Sequence, residues 1–258
     1  CLGRDASAGF IRAGLEAEGV GCGRLVQVAS HPTSKTVILL VKGQDRRYIH
    51  TFGANAAFTA KHIRREWLAS LKVFYLGGLF LMPSLRTSEF RDLLKFCRAK
   101  GVATVVDVVI PQRGDFGRDL ERLLPFMDYF LPNNDEARVL TGCDRPEDQA
   151  QALVAGGAAT AIVTCGKGGV VAAREGECWR VGTFPMKVVD PSGAGDAFDS
   201  GVIAGILRGW DLPRTLTYAS AVGASAVRAV GTTPGVFTAA EAKAFVARHK
   251  LKLEKVQS

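Results

Sequence analysis

Val73-Phe74-Tyr75-Leu76, then Phe90, Leu93, Leu94 and Cys97, then Val102-Ala103-Thr104-Val105-Val106-Asp107-Val108-Val109 make up the stretch that decides the fold. Two short, nearly continuous apolar runs flank a segment whose apolar residues recur at three- and four-residue spacing, the mark of an amphipathic helix. Gly101 closes that helix, as the residue best able to take a left-handed cap. A strand that is apolar throughout must be covered on both faces, and the crossover to a parallel neighbour is ordinarily a helix. The stretch therefore reads as a β-α-β unit of a parallel sheet.

The same alternation continues outward. Asp128 to Leu131 and Thr160 to Thr164 are further buried runs, with a helix from about Asn134 between them. The last third is mostly helical: Gly195 to Arg208, Leu212 to about Ala229, and Thr238 to His249, opened by the capping box Thr238-Ala239-Ala240-Glu241. Toward the N-terminus a short amphipathic helix begins at Gly9 and ends near Gly19. Thr36 to Val41 and Arg47 to Thr51 are β-branched runs around Lys42-Gly43-Gln44-Asp45, a hairpin outside the alternation. The expected fold is α/β, a doubly wound, mainly parallel sheet between helices. All 258 residues form one domain, to which residues 33–55 contribute a small β-hairpin lid.

Composition narrows the function. The longest nearly apolar stretch, Val73 to Met82, is about half of what a spanning helix requires, so no membrane role is expected. The net charge of +8 could suit nucleic acid, but the basic residues are dispersed over Arg46-Arg47, Lys61 to Arg65, and a tail from Arg248 to Lys255. Aromatic residues do not alternate with them as a base-stacking platform demands. The charge reads as a solvated surface that attracts anionic substrates. Six scattered cysteines include no C-x-x-C pair, which points to free thiols in a reducing cytosol rather than to disulfides or zinc.

The chemistry lies in Val189-Asp190-Pro191-Ser192-Gly193-Ala194-Gly195-Asp196-Ala197-Phe198. A strand ends, a turn of small residues follows, and a helix begins. In an open α/β sheet this is where ligands bind. The amides of Gly193, Ala194 and Gly195, with the helix dipole behind them, would form an anion hole that lets a phosphate approach the backbone. Positive potential there would keep Asp196 ionised, as a base facing a substrate hydroxyl. A glycine-rich turn with Asp196 as an ordinary first-turn residue fits the same ten letters. On the turn alone both readings stand.

Asp190 to Asp196 with Ser200-Gly201 resembles the C-terminal signature of ribokinase-like sugar kinases. Other marks of that family occur in order: Gly3-Arg4-Asp5 with Gly9, Leu15 and Gly19-Val20; Gly53-Ala54-Asn55 after the hairpin; Asn133-Asn134-Asp135-Glu136; and Thr164-Cys165-Gly166-Lys167-Gly168-Gly169. The likeness runs from Gly3 to about Glu241. It implies an ATP-dependent carbohydrate kinase in which Asp196 deprotonates the acceptor hydroxyl and Gly193, Ala194 and Gly195 hold the transferring phosphoryl. It also implies that Asn133, Thr164, Gly166, Gly168, Gly169, Ser220 and Gly231 meet the nucleotide and that Glu136 helps organise Mg2+. Asp190 and Ser192 match positions where relatives bind a monovalent cation such as potassium, with Pro191 in place of the commoner Thr. Asp107 and Arg113 could face the acceptor. The expected partners are a sugar-like small molecule and a second copy of the chain met through the β lid, in the cytoplasm.

The family's N-terminal strand and its G-G-x-x-x-N segment have no counterpart here, since Gly77-Gly78-Leu79 ends a mid-chain strand and lacks the Asn. Cys1 opens inside a family pattern, so a preceding strand and acceptor-binding loop are expected in the natural protein. A nucleoside kinase of the same fold and a catalytically idle nucleotide-binding relative are the alternatives. A dinucleotide-dependent dehydrogenase is disfavoured, because no G-x-G-x-x-G follows an early strand.

Overall fold

Asp5 starts the first helix, α1 (Ala6–Ala17), by accepting from the Ala8 amide, three residues ahead of the Gly9 start read from apolar spacing. The computed structural model describes residues 1–41, 47–111, 114 and 116–256, so the turn read at Lys42-Gly43-Gln44-Asp45 lies outside the described residues. On either side of that turn, β1 (Lys35–Leu39) and β2 (Arg47–Thr51) pair antiparallel, Lys35 opposite Thr51, as a two-stranded sheet of their own. Asp5 also ties the base of this hairpin, accepting from both the amide and the hydroxyl of Thr33.

The alternation follows as α2 (Arg65–Leu68), β3 (Val73–Leu79), α3 (Thr87–Ala99), β4 (Ala103–Val108), α4 (Gly117–Glu121), β5 (Tyr129–Phe130), α5 (Asn134–Thr141), α6 (Pro146–Ala155) and β6 (Thr160–Thr164). Then come β7 (Val170–Arg174), β8 (Glu177–Val181), α7 (Ala194–Leu207), α8 (Leu212–Ala226), α9 (Ala239–Arg248) and β9 (Leu253–Val256). The main sheet runs in the order β3-β4-β5-β6-β7-β8-β9. Its β3 to β6 half is parallel, while β6 to β9 pair antiparallel because tight turns join β6 to β7 and β7 to β8.

Successive residues of the central strands feed opposite layers. Val106, Ala161 and Val163 pack with Phe90, Leu94 and Leu153, whereas Val105 and Ile162 pack with Phe198, Val202 and Leu216. That two-faced burial is why these strands read as unbroken apolar runs. The stretch taken as a basic tail proves partly otherwise. Leu251 and Leu253 pack on the second layer, and Leu253–Val256 pairs with β8. Its lysines face outward from an edge strand, a common protection against strand addition.

Helices α7 and α8 lie unusually close. A Cβ on Gly201 would come within 2.5 Å of Ala219 Cα, and one on Gly205 within 2.5 Å of Thr215 Oγ1. Among the described residues no helix is long and apolar enough to cross a membrane, and all six cysteines are free.

Candidate active site

The turn before α7 is built from the inside out. Asp190 is buried, and its Oδ1 accepts from both the amide and the hydroxyl of Ser192 at 2.9 and 2.7 Å. Its Oδ2 accepts from the Gly231 amide at 2.9 Å, which fastens the loop after α8 to the turn. Gly193 caps α7 with φ 77°, a left-handed conformation, and a Cβ there would stand 2.5 Å from the Thr232 carbonyl oxygen. The first bond within the helix joins the Ala197 amide to the Gly193 carbonyl. The amides of Gly195 and Asp196 therefore have no backbone acceptor within the helix; that of Asp196 turns to its own carboxylate, and that of Gly195 opens toward the helix N-terminus.

Beside this turn lies a cleft of about 360 Å3. It brings together Thr164, Gly166, Gly169, Ala194, Gly195 and Ser220, residues read from distant parts of the sequence. Gly168 is not in the lining; its amide closes the 3-10 turn onto the Cys165 carbonyl. Gly169 has φ 85° and a Cβ there would stand 2.0 Å from the Val181 carbonyl oxygen, so the loop must enter β7 with no side chain at that point. Ser220 Oγ is buried without a hydrogen-bond partner. The sequence reading gave Lys167 no role of its own within the loop and missed a largely apolar wall of Phe184, Pro185, Met186, Val188 and Val227. That wall comes from a coil between β8 and α7 with no periodicity to betray it, and Phe184 is backed edge-on by Phe245 at 5.0 Å.

Asn133 joins the site through a parallel bridge to Thr164. It caps α5, accepting at Oδ1 from the amides of Asp135 and Glu136, and Glu136 accepts in return from the Asn133 amide, each at 2.9 Å. Here the structural role is plain, and the side chains serve it whatever else they do.

Carboxyl groups gather around the sheet's C-terminal edge. Burial pushes Asp107 up to about 6, although its carboxylate accepts from the Gly78 amide at 3.1 Å. Burial likewise pushes Glu136 up to about 7 and Asp199 to about 8, with neighbouring carboxylates adding to both. Asp196, in the first turn of α7, is exposed at the surface, but partial desolvation of its carboxyl still raises it, against a backbone hydrogen bond that lowers it. Asp107 and Asp199 lie near enough to feel its charge. Arg113 lies outside the described residues.

Among the described residues no three His, Cys, Asp or Glu side chains are placed to enclose a metal ion. Mg2+, however, is commonly held by one or two carboxylates together with nucleotide phosphates and water. Glu136, whose second carboxylate oxygen is not used by the cap, fits a magnesium ion that arrives with a nucleotide and water, while the Asn133 oxygen is taken up by the Asp135 and Glu136 amides.

An open sheet wound on both faces, with a glycine turn and a carboxylate at the edge of an apolar cleft, is the ribokinase-like fold. The chain belongs to the pfkB family of carbohydrate kinases, whose family model matches residues 1–239. It is similar to an ATP-dependent 6-phosphofructokinase of Thermoanaerobacterium thermosaccharolyticum, 35% identical over 154 residues, covering 58% of this chain and 47% of that protein. An adenosine kinase of Saccharomyces cerevisiae is 27% identical over 237 residues, covering 84% of this chain and 67% of that protein. Among solved structures, an Escherichia coli protein assigned as a ribokinase II, in complex with ATP and Mg2+, superposes with TM-score 0.83 at 26% identity. That likeness covers 96% of this chain and 82% of the other.

Proposed function

We propose that the protein transfers the γ-phosphoryl group of ATP to a hydroxyl of a sugar or sugar-like molecule, with Asp196 as general base. The observation that carries this reading is the meeting of Ala194 and Gly195 with Thr164, Gly166, Lys167 and Gly169 on one largely apolar cleft, with the exposed Asp196 next along α7. The apolar wall around Phe184 takes the base and Lys167 faces the phosphates. The open amide of Gly195 in α7 faces the phosphoryl in flight. Asp196 removes the proton of the acceptor hydroxyl, whose oxygen forms the new bond to the γ-phosphorus. The bond to the β–γ bridging oxygen breaks, and ADP leaves with that electron pair.

Magnesium, held by Glu136 through water and by the phosphates, would neutralise charge on the transferring group. A potassium ion at the loop built by Asp190, Ser192 and Gly231 is part of the same proposal and predicts higher turnover in potassium than in sodium. The exposed Val37, Tyr48 and Ile49 of the hairpin support its reading as a lid that also pairs two copies. The free thiols suit the cytoplasm. The similarity to an adenosine kinase keeps a nucleoside acceptor as the second reading.

The test is an ATP-consumption screen over sugars and nucleosides with the full-length gene product, repeated with Asp196→Asn. That variant preserves size but cannot take a proton, so turnover should fall by about 10²–10⁴-fold while ATP still binds. Turnover near the unmodified rate would remove Asp196 from the mechanism.

A further inference from the structure

Asp199 is a buried acid that the transfer step does not use. It lies one helical turn beyond Asp196 on α7, is 4% exposed, and its Oδ2 accepts from the Tyr75 hydroxyl at 2.9 Å. The bond spans 124 positions of sequence and joins α7 to β3, the edge strand of the parallel half. Strand β3 makes room for it: a Cβ on Gly77 would stand 2.8 Å from the Tyr75 hydroxyl oxygen. The next residue, Gly78, has φ 71°, breaks the register between Leu76 and Leu79, and directs its amide to Asp107.

The described groups whose charge reaches Asp199 are Asp107, Asp196 and Glu136, all carboxylic acids, while the Tyr75 hydroxyl donates a hydrogen bond to it. Among the described residues no cation is placed to offset a charge there. A second buried negative charge one turn inside α7 would oppose any phosphate at the helix N-terminus, so the tie between α7 and β3 has to be polar but uncharged.

We propose that Asp199 is a positioning residue for phosphoryl transfer: paired with Tyr75, it fastens the phosphate-binding turn of α7 to β3 while holding a proton in place of a negative charge. The proposal rests on the reading of that turn as the phosphate site. The protonated acid still accepts Tyr75's hydrogen bond at one oxygen, so packing and neutrality are met together. Asp196 is then the member of the set left free to ionise. Above about pH 8, where Asp199 gives up its proton, the turn loses affinity for anions.

Two measurements decide it, on the full-length protein, Asp199→Asn and Tyr75→Phe. In the first, ligand-free melting temperatures are compared from pH 5 to 9. The folded chain keeps the Asp199 proton to about pH 8, whereas the unfolded carboxyl loses it near pH 4. The unmodified protein should therefore lose stability relative to Asp199→Asn as pH rises through that window, by at least about 3 °C in melting temperature. A gap that does not change with pH overturns the proton-holding role.

In the second, the dissociation constant of magnesium-ATP is followed over the same range. It should rise about tenfold between pH 7 and 9 in the unmodified protein and stay within about twofold in Asp199→Asn. In Tyr75→Phe the rise should move to higher pH, because the hydroxyl that stabilises the ionised acid is gone. The same alkaline rise in Asp199→Asn would reduce the pair to a structural tie. Near-normal turnover in Asp196→Asn would sink the general-base reading and leave both of these results untouched.

Discussion

Gly169 and Gly193 hold two turns of the cleft wall, and neither could carry a side chain. Both adopt left-handed backbone, and a Cβ would stand 2.0 Å from the Val181 carbonyl oxygen at Gly169 and 2.5 Å from that of Thr232 at Gly193. The conformation alone costs an L-residue about 1–2 kcal/mol, and a backbone oxygen cannot swing away as a flexible side chain can. Gly193→Ala should therefore lose about 2–4 kcal/mol, read as a lower urea midpoint with unchanged slope. A loss below about 1 kcal/mol would show that the turn can relax. The need for small residues here was legible in the sequence, since Gly-Ala-Gly ahead of a helix admits few conformations, but the strand expected to end at Val189 is absent: residues 182–193 run as coil from β8 to α7. What Gly193 presses on was not legible, because Thr232 is brought in only by the Asp190–Gly231 tie. The Asp199–Tyr75 pair was hidden for the same reason: nothing local marks either residue.

Elements were most legible where local and tertiary demands agree. β6 has the bounds that its apolar run suggested, Thr160–Thr164, and α9 begins at the Thr238–Glu241 capping box as read. β8 and β9 were invisible because they form the sheet's antiparallel end, are only partly buried, and carry Arg180 and Lys255 among their apolar residues. The α7–α8 contact supplies an element-scale prediction. Gly201 sits against the Ala219 backbone, so Gly201→Leu must push the helices apart at a cost of about 1–3 kcal/mol. It should also lower ATP affinity, because α7 carries the phosphate turn and α8 carries Ser220. An unchanged melting curve would mean that the close packing is incidental. At α5, Asn133→Ala removes the oxygen that caps both Asp135 and Glu136 and should cost about 0.5–2 kcal/mol in denaturant titrations. The same change should weaken magnesium-ATP binding if the pair serves the nucleotide; stability loss alone would leave Asn133 a cap.

At the scale of the whole molecule the buried acids set a pH dependence whose sign can be worked out. Asp107, Glu136 and Asp199, at about 6, 7 and 8, hold protons in the folded chain that the unfolded chain has given up by about pH 5. The folded state binds more protons across that window, so stability falls as pH rises from about 4 to 8. Asp5 acts in the opposite sense. Its hydrogen bonds from Thr33 and Ala8 hold it down at about 2, so what it contributes is present above pH 4 and lost as pH falls toward 2. The ligand-free protein should therefore melt highest in the mildly acidic range and several degrees lower at pH 8. Saturating magnesium-ATP, at about a hundred times its dissociation constant, should restore about 2.7 kcal/mol by mass action. Calorimetric melting at pH 5, 6.5 and 8, with and without nucleotide, checks both parts. A melting temperature that rises steadily from pH 5 to 8 would mean that the acids ionise freely in the folded chain, and that the site is far wetter than its packing indicates.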